Sequence, residues 1–274
     1  MRLCGSQPTS ALADHDGISR RGETPSRERT GYPCQVSVPS LSLVVPAYDE
    51  EDCLPALYGR VLEVFGNGLT WELILVDDGS RDRTGSVISE LVEKDSRVRG
   101  RLLARNCGQT TALRIGIEAA RGPLIATLDA DLQNDPADLL AMLEGLGDND
   151  AVVGYRSERH DDWLRRTSSR VANFIRNAVT RDSIRDTGCS LKLFRADAIR
   201  AIPLFEGMHR FLPTLLRFHG YRVSEHPVSH RARLAGASKY GVGNRAARAF
   251  VDLLAVRWMR SRIEHPDVRN RDGS

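Results

Sequence analysis

Asp129-Ala130-Asp131 sets two carboxylates one residue apart, directly after the apolar run Pro123-Leu124-Ile125-Ala126-Thr127-Leu128. Hard oxygen ligands this close suit Mg²⁺ or Mn²⁺, which takes one or two carboxylates and completes its shell with substrate phosphates. Gln133, two residues on, offers a neutral amide oxygen to the same ion. The run opened by Gly122-Pro123 has the length and composition of a buried strand. The pair should therefore emerge at the carboxyl edge of an α/β sheet, where open sheets of this kind bind ligands. The plainer alternative is an acidic strand-to-helix turn in which Asp135 caps a helix before Pro136.

Three further segments should carry polar residues to the same edge. Leu41-Ser42-Leu43-Val44-Val45 reads as a strand that stops at Pro46 and opens into Ala47-Tyr48-Asp49-Glu50-Glu51. Trp71 to Val76 reads as a second, ending in Asp77-Asp78-Gly79-Ser80, and Val98 to Ala104 as a third, ending in Arg105-Asn106-Cys107-Gly108-Gln109. Helical patterns fill the intervals at 51–65, 82–95 and 109–121. This alternation predicts an α/β fold, Rossmann-like, with a mostly parallel sheet flanked by helices. A dinucleotide-binding chain would run its first strand into G-x-G-x-x-G, and a P-loop chain would carry the Walker pattern. Neither is present. A metal in place of a glycine loop is the expected holder of phosphate.

Taken in order, the blocks Val45-Pro46-Ala47-Tyr48-Asp49-Glu50, Asp77-Asp78-Gly79-Ser80, Arg105-Asn106 with Gly108-Gln109, and Asp129 through Pro136 are followed by Val153-Gly154-Tyr155-Arg156, Asp186-Thr187-Gly188-Cys189, Met208-His209-Arg210-Phe211 and His230-Arg231-Ala232-Arg233 with Gly236-Ala237-Ser238-Lys239-Tyr240. This series resembles the family 2 glycosyltransferases of GT-A fold, and within them the polyprenyl-phosphate branch. The resemblance covers roughly residues 40–260. It implies inverting transfer of a sugar from a nucleotide-diphosphate donor, GDP-mannose or a UDP-hexose, to the phosphate of a long isoprenoid lipid. It also implies that Pro46, Tyr48 and Glu50 contact the nucleoside, that Asp78 or its neighbour Asp77 bonds the base or ribose, and that Asp129, Asp131 and Gln133 hold the metal. Asp77 or Asp78 could instead cap the helix beginning near Asp82. The same fold with a polysaccharide or small hydroxyl acceptor, or a non-catalytic nucleotide-sugar-binding scaffold, are the competing readings.

A lipid phosphate is already an anion, so holding two mutually repelling anions together is the harder task, and it calls for cations. Residues 155–274 carry 24 Lys/Arg against 12 Asp/Glu, whereas residues 1–154 carry 15 against 24. The formal net charge of +3 thus conceals an acidic donor half and a basic acceptor half. Arg156 follows the strand Ala151–Tyr155 at the active edge, and Arg165 and Arg166 follow Trp163, where the resemblance implies an acceptor-phosphate arginine. Arg233 and Lys239 lie in a glycine-containing loop suited to cover phosphates; Lys239 is one of only three lysines, with Lys94 and Lys192. Asp186 leads a polar segment into a strand, where it could serve as a base, orient an arginine, or close a buried ion pair. His209 and His230 lack partners at zinc-ligand spacing.

Neither a secretory signal nor a run of the ~18–20 apolar residues that a membrane span needs is visible. Two basic amphipathic stretches are. One carries Trp163, Leu164, Val171, Phe174, Ile175 and Ala178; in the other Ala247, Phe250, Val251, Leu254 and Trp258 form one stripe among Arg245, Arg248, Arg257, Arg260 and Arg262. Each could pack on its own domain or lie in a headgroup layer. A peripheral enzyme on the cytoplasmic membrane face, with scope for a membrane-protein partner, is the expectation. Five scattered cysteines without Cys-x-x-Cys point to a reducing compartment. No nucleic-acid recognition motif accompanies the basic charge. The predicted organisation is a disordered tail over 1–38, the catalytic domain over 39–241, a basic amphipathic helix over 242–262 and a tail over 263–274.

Overall fold

A computed structural model describes residues 38–66, 68–156, 183–231 and 242–263, with backbone alone for 242–250. Their core is a seven-stranded sheet built from β1 (Leu41–Ala47), β2 (Trp71–Asp77), β3 (Val98–Leu102), β4 (Leu124–Thr127), β5 (Ala151–Arg156), β6 (Lys192–Arg195) and β7 (Val223–Val228), in the order β3-β2-β1-β4-β6-β5-β7. β3, β2, β1 and β4 pair in parallel, and so do β5 and β7. β6 runs antiparallel to both β4 and β5. Six strands therefore point their carboxyl ends to one edge, and β6 starts there.

Both faces of the sheet are covered, which is why its strands read as continuous apolar runs. Leu41, Leu43 and Val45 of β1 and Leu73 and Leu75 of β2 face one apolar cluster, while Val44, Ile74 and Val76 face the other. α1 (Leu54–Phe65) covers the first face with Leu54, Leu57, Tyr58, Val61 and Phe65, a helical spacing that leaves its polar residues outside. α2 (Thr84–Lys94) and α4 (Asp138–Glu144) add Val87, Ile88, Leu91, Leu139 and Met142. The opposite face takes Ala112, Leu113 and Ile117 of α3 (Gln109–Ala119) and Leu212, Leu215 and Leu216 of the short α6 (Leu212–Phe218); α5 (Ala196–Arg200) follows β6. The last described helix, α7 (Val242–Arg260), sends Leu253 and Val256 into this second cluster.

The chain's exit from β1 has a simple cause. Val44 accepts a hydrogen bond from Leu128 on the β4 side, and Ala47 accepts one from Asp78 on the β2 side. Alternation then aims the missing N–H of Pro46 at the β4 side, where pairing with β1 has already ended at Val44. The proline thus costs no ladder bond and releases the acidic loop at the edge.

Candidate active site

Loops from six strand ends meet at this edge, and hydrogen bonds to backbone amides hold most of them. The loop after β1 is laced to the loop after β2. Asp49 N–H donates to Ser80 Oγ (2.9 Å), Glu50 N–H to Thr84 Oγ1 (2.8 Å), and Arg81 N–H to Asp49 Oδ1 (2.8 Å). Asp49 takes a left-handed φ of 51° within this lacing.

The two aspartates after β2 divide their work. Asp77 closes its own turn by accepting from Ser80 N–H (2.9 Å) and Ser80 Oγ (2.5 Å). Buried Asp78 accepts from the backbone N–H groups of Cys107 (2.7 Å) and Gly108 (2.9 Å), so it fastens the loop after β3. Burial pushes Asp78 above the ordinary carboxylate range, against those two bonds. Neither caps α2: that helix starts at Thr84, whose N–H donates to Asp82 Oδ1 (2.9 Å). The capping alternative for this pair is thereby set aside.

Asp129 and Asp131 leave β4 together. Gln109 Nε2 donates to Asp129 Oδ1 (3.0 Å), and the Ser190 hydroxyl lies between Asp129 and Asn134 Oδ1 (3.1 Å from the latter). Burial and the Asp131 carboxylate push Asp129 up from its usual value; Ser190 and Lys192 pull the other way, and Glu50 adds to the rise. Asp131 accepts from Gln133 N–H (3.2 Å) across Leu132, which is held at φ 54°. Among the described residues no group of three His, Cys, Asp or Glu gathers at metal-holding distance. The chemistry of two hard carboxylates fits a small divalent cation that takes its remaining ligands from substrate phosphates.

Asp135 stands in the turn before α4, whose N-cap is Ala137 without a side-chain cap bond. It accepts from Ala137 N–H (3.0 Å), from Arg60 in a two-point pair (2.9 and 3.1 Å), and from Arg231 (2.7 Å). Burial pushes this carboxyl up, but the Arg60 and Ala137 bonds outweigh it and leave Asp135 below its ordinary value. Arg231 N–H also donates to the Gln133 carbonyl (2.8 Å), Asn134 Nδ2 to the Ser229 carbonyl (3.2 Å), and Ser229 N–H and Oγ to Asp138 (2.8 and 2.7 Å). The segment 229–231 is thus stapled to the loop that follows the aspartate pair.

Arg156 and Asp186 meet in a two-point ion pair, Nε to Oδ2 at 2.7 Å and Nη2 to Oδ1 at 3.1 Å, with Gly188 N–H also donating to Oδ1 (3.1 Å). This geometry is a largely buried two-point ion pair, which an arginine's orienter and a structural ion pair share. Pro46, Tyr48 and Glu50 stand half-buried where β1 ends. Arg165, Arg166, Arg233 and Lys239 lie outside the described residues, as does the amphipathic stretch over 163–178.

Two side chains belong to this edge that sequence reasoning assigned no role there. Lys192 opens β6 opposite Thr127 of β4 and Val153 of β5, is 4% exposed, and donates from Nζ to the Cys189 carbonyl. Burial lowers its pKa, countered by Cys189, Asp129 and Asp186. It is a buried amine within electrostatic reach of Asp129 and Asp186. The available signal was a lysine inside the apolar run Leu191-Lys192-Leu193-Phe194, in a chain with three lysines. His209, in the 3-10 turn Met208–Phe211, contacts Thr110 Oγ1 through Nδ1 (2.7 Å); that hydroxyl also accepts from Gly207 N–H (3.0 Å), so its own hydrogen is available to Nδ1. Burial, then Arg210 and Lys192, lower His209 to about 3, which keeps it neutral.

The signature of Glycosyl transferase family 2 matches residues 42–202, more than half of the chain and every strand from β1 to β6. The chain belongs to this family. Among curated family relatives, dodecaprenyl-phosphate galacturonate synthase of Rhizobium johnstonii is 43% identical over 79% of this chain and 66% of its own length. Undecaprenyl-phosphate 4-deoxy-4-formamido-L-arabinose transferase of Edwardsiella ictaluri is 38% identical over 74% of this chain and 63% of its own. The chain thus spans just under two thirds of the length of these relatives. Solved structures share the GT-A fold at low identity. The mannosyltransferase PcManGT of Pyrobaculum calidifontis, in complex with GDP-Man and Mn²⁺, has a TM-score of 0.57 at 18% identity, over 84% of this chain and 66% of that one. Glucosyl-3-phosphoglycerate synthase of Mycobacterium tuberculosis, with Mn²⁺ and UDP-glucose, has a TM-score of 0.60 at 16% identity, over 83% and 80%.

Proposed function

We propose that this family 2 chain transfers one sugar from a nucleotide-diphosphate sugar to the phosphate of a polyprenyl lipid, with inversion at the anomeric carbon. The observation that carries the reading is the 43% identity to a polyprenyl-phosphate sugar transferase over a stretch that includes the Asp129–Asp131 edge. An acceptor phosphate oxygen attacks the anomeric carbon while the bond to the donor's β-phosphate oxygen breaks, and the electron pair leaves with the nucleoside diphosphate. The acceptor is already ionised, so the step needs no proton removed.

In this reading Pro46, Tyr48, Glu50 and Asp78 shape the nucleoside pocket. Asp129, Asp131 and Gln133 hold Mg²⁺ or Mn²⁺, which when bound supplies positive charge against the departing diphosphate. Arg156, aligned by Asp186, presents its guanidinium to phosphate oxygens, and Arg166, Arg233 and Lys239 add positive charge for the acceptor. The GDP-Man and UDP-glucose complexes of the fold neighbours support a nucleotide-sugar donor with a divalent ion. A lipid-borne acceptor also supports a peripheral place on the cytoplasmic membrane face, with or without a membrane-protein partner; no described helix is long and apolar enough to cross a membrane.

The test incubates the full chain with Mn²⁺ or Mg²⁺, polyprenyl phosphate and labelled GDP- and UDP-sugars, and counts label in the organic extract. Label from one donor, lost by at least ~100-fold in Asp131→Ala, is expected. Full transfer by Asp131→Ala would overturn the metal role. Nucleotide release that responds only to soluble hydroxyl acceptors would overturn the lipid acceptor.

A further inference from the structure

α7 carries two apolar faces, and among the described residues only one is buried. Leu253 and Val256, 6% and 0% exposed, pack into the core against Phe211, Leu212 and their neighbours. Val251, Leu254 and Trp258 recur at i, i+3 and i+7 on the opposite side, and are 63%, 46% and 62% exposed. Of eight large exposed hydrophobic side chains among the described residues, these are three. A fourth, Phe205, precedes the turn at Gly207, where the Asp252 carboxylate packs so closely that a Cβ would stand 2.4 Å from its Oδ2.

The charge around this stripe has one sign. α7 contains Arg245, Arg248, Arg257 and Arg260, with Arg262 just beyond, against one acid, Asp252, which is turned toward Gly207. Arg257 and Arg262 are exposed, and the Arg262 guanidinium lies 5.9 Å from the Trp258 ring centre, whereas the Arg260 guanidinium lies 5.2 Å from the Phe218 ring of the core side. Aliphatic residues, a tryptophan and arginines on a helix lying flat on its domain make the composition that seats in a headgroup layer, where the apolar side chains enter the acyl boundary and the arginines meet anionic lipid. A second copy of the chain fits less well, because a stable protein interface engages some twenty or more residues a side, and the stripe offers three.

We infer that the outer face of α7 docks on an anionic bilayer surface. The inference rests on the lipid-phosphate reading for its purpose, although its evidence is the helix itself. α7 is also joined to the active edge by a short series of contacts. Asp252, midway along α7, packs against Gly207; Gly207 N–H donates to Thr110 Oγ1, and Thr110 adjoins Gln109, which contacts Asp129.

The experiment is co-sedimentation of the full chain with vesicles of phosphatidylcholine alone or with 30% phosphatidylglycerol (about the anionic fraction at which the electrostatic attraction is strong), at low and high salt. The triple variant Val251→Ser/Leu254→Ser/Trp258→Ser runs beside it, with Mn²⁺-dependent binding of GDP and UDP to each protein followed by calorimetry. The expected result is binding to anionic vesicles that weakens in high salt and falls at least tenfold in the triple variant, with nucleotide affinity unchanged. Equal vesicle binding by the variant, or none by the parent chain, overturns the inference. So does a parent chain that is dimeric in solution and a variant that is monomeric, since a second copy would then cover the stripe. Vesicle binding is read without turnover, so failure of the transfer assay would leave this result standing.

Discussion

Asp186 holds Arg156 at two points, so any change at one acts on the other. Asp186→Asn keeps the shape but removes the charge that aligns the guanidinium, and an amide cannot accept at both positions. If the pair positions a phosphate-binding arginine, the variant should lose about 10–100-fold in kcat/KM, mainly through a higher KM for the lipid acceptor, with the pH profile unchanged. A general base at Asp186 would instead show as a loss of the ascending limb of the pH–rate profile. At this scale the sequence was readable in type and place but not in partner. That Asp78 stands at a strand end follows from the run before it. That its oxygens are taken by the amides of Cys107 and Gly108 does not, because those lie 29 and 30 residues away.

The elements were legible where burial alone decided them. β1, β2 and β4 are covered on both faces, so apolar runs mark them plainly, although β1 continues past the expected stop at Pro46 to Ala47, paired there with β2 alone. The reversed direction of β6 was not, since alternation along a strand is the same whichever way it runs. Lys192 was overlooked for the same reason, as its burial depends on being sandwiched between β4 and β5. Val251, Leu254 and Trp258 of the stripe read along α7 are exposed, and the face that meets the core is the one with Leu253 and Val256. A helix with two apolar arcs does not say which of them meets the core. Gly79 tests how tightly the elements fit. It sits at φ 69°, and a Cβ there would lie 2.2 Å from the Arg105 carbonyl carbon. Gly79→Ala should destabilise the fold by about 3 kcal/mol or more in urea unfolding, from the left-handed backbone and the backbone clash together.

For the molecule as a whole, the buried neutral imidazole of His209 links stability to pH. The folded chain withholds a proton from His209 down to about pH 3, while the unfolded chain accepts one near 6.5. Unfolding between those values takes up a proton, so stability falls as pH drops below 6.5 and is unaffected by this group above it. The slope is at most about 1.4 kcal/mol per pH unit. Urea unfolding at pH 7 and pH 5 should therefore show a loss that is smaller by roughly 1–2 kcal/mol in His209→Gln than in the parent chain. Equal losses would show that His209 is protonated without penalty. The staple between residues 229–231 and the loop 133–138 acts on the same scale. It joins positions up to 98 apart in sequence (Gln133 and Arg231), and it bridges the ends of β4 and β7 across β6 and β5. The loops after β4 and β7 therefore form one continuous rim over this half of the edge, and slack introduced at Asp135 or Ser229 would loosen both at once.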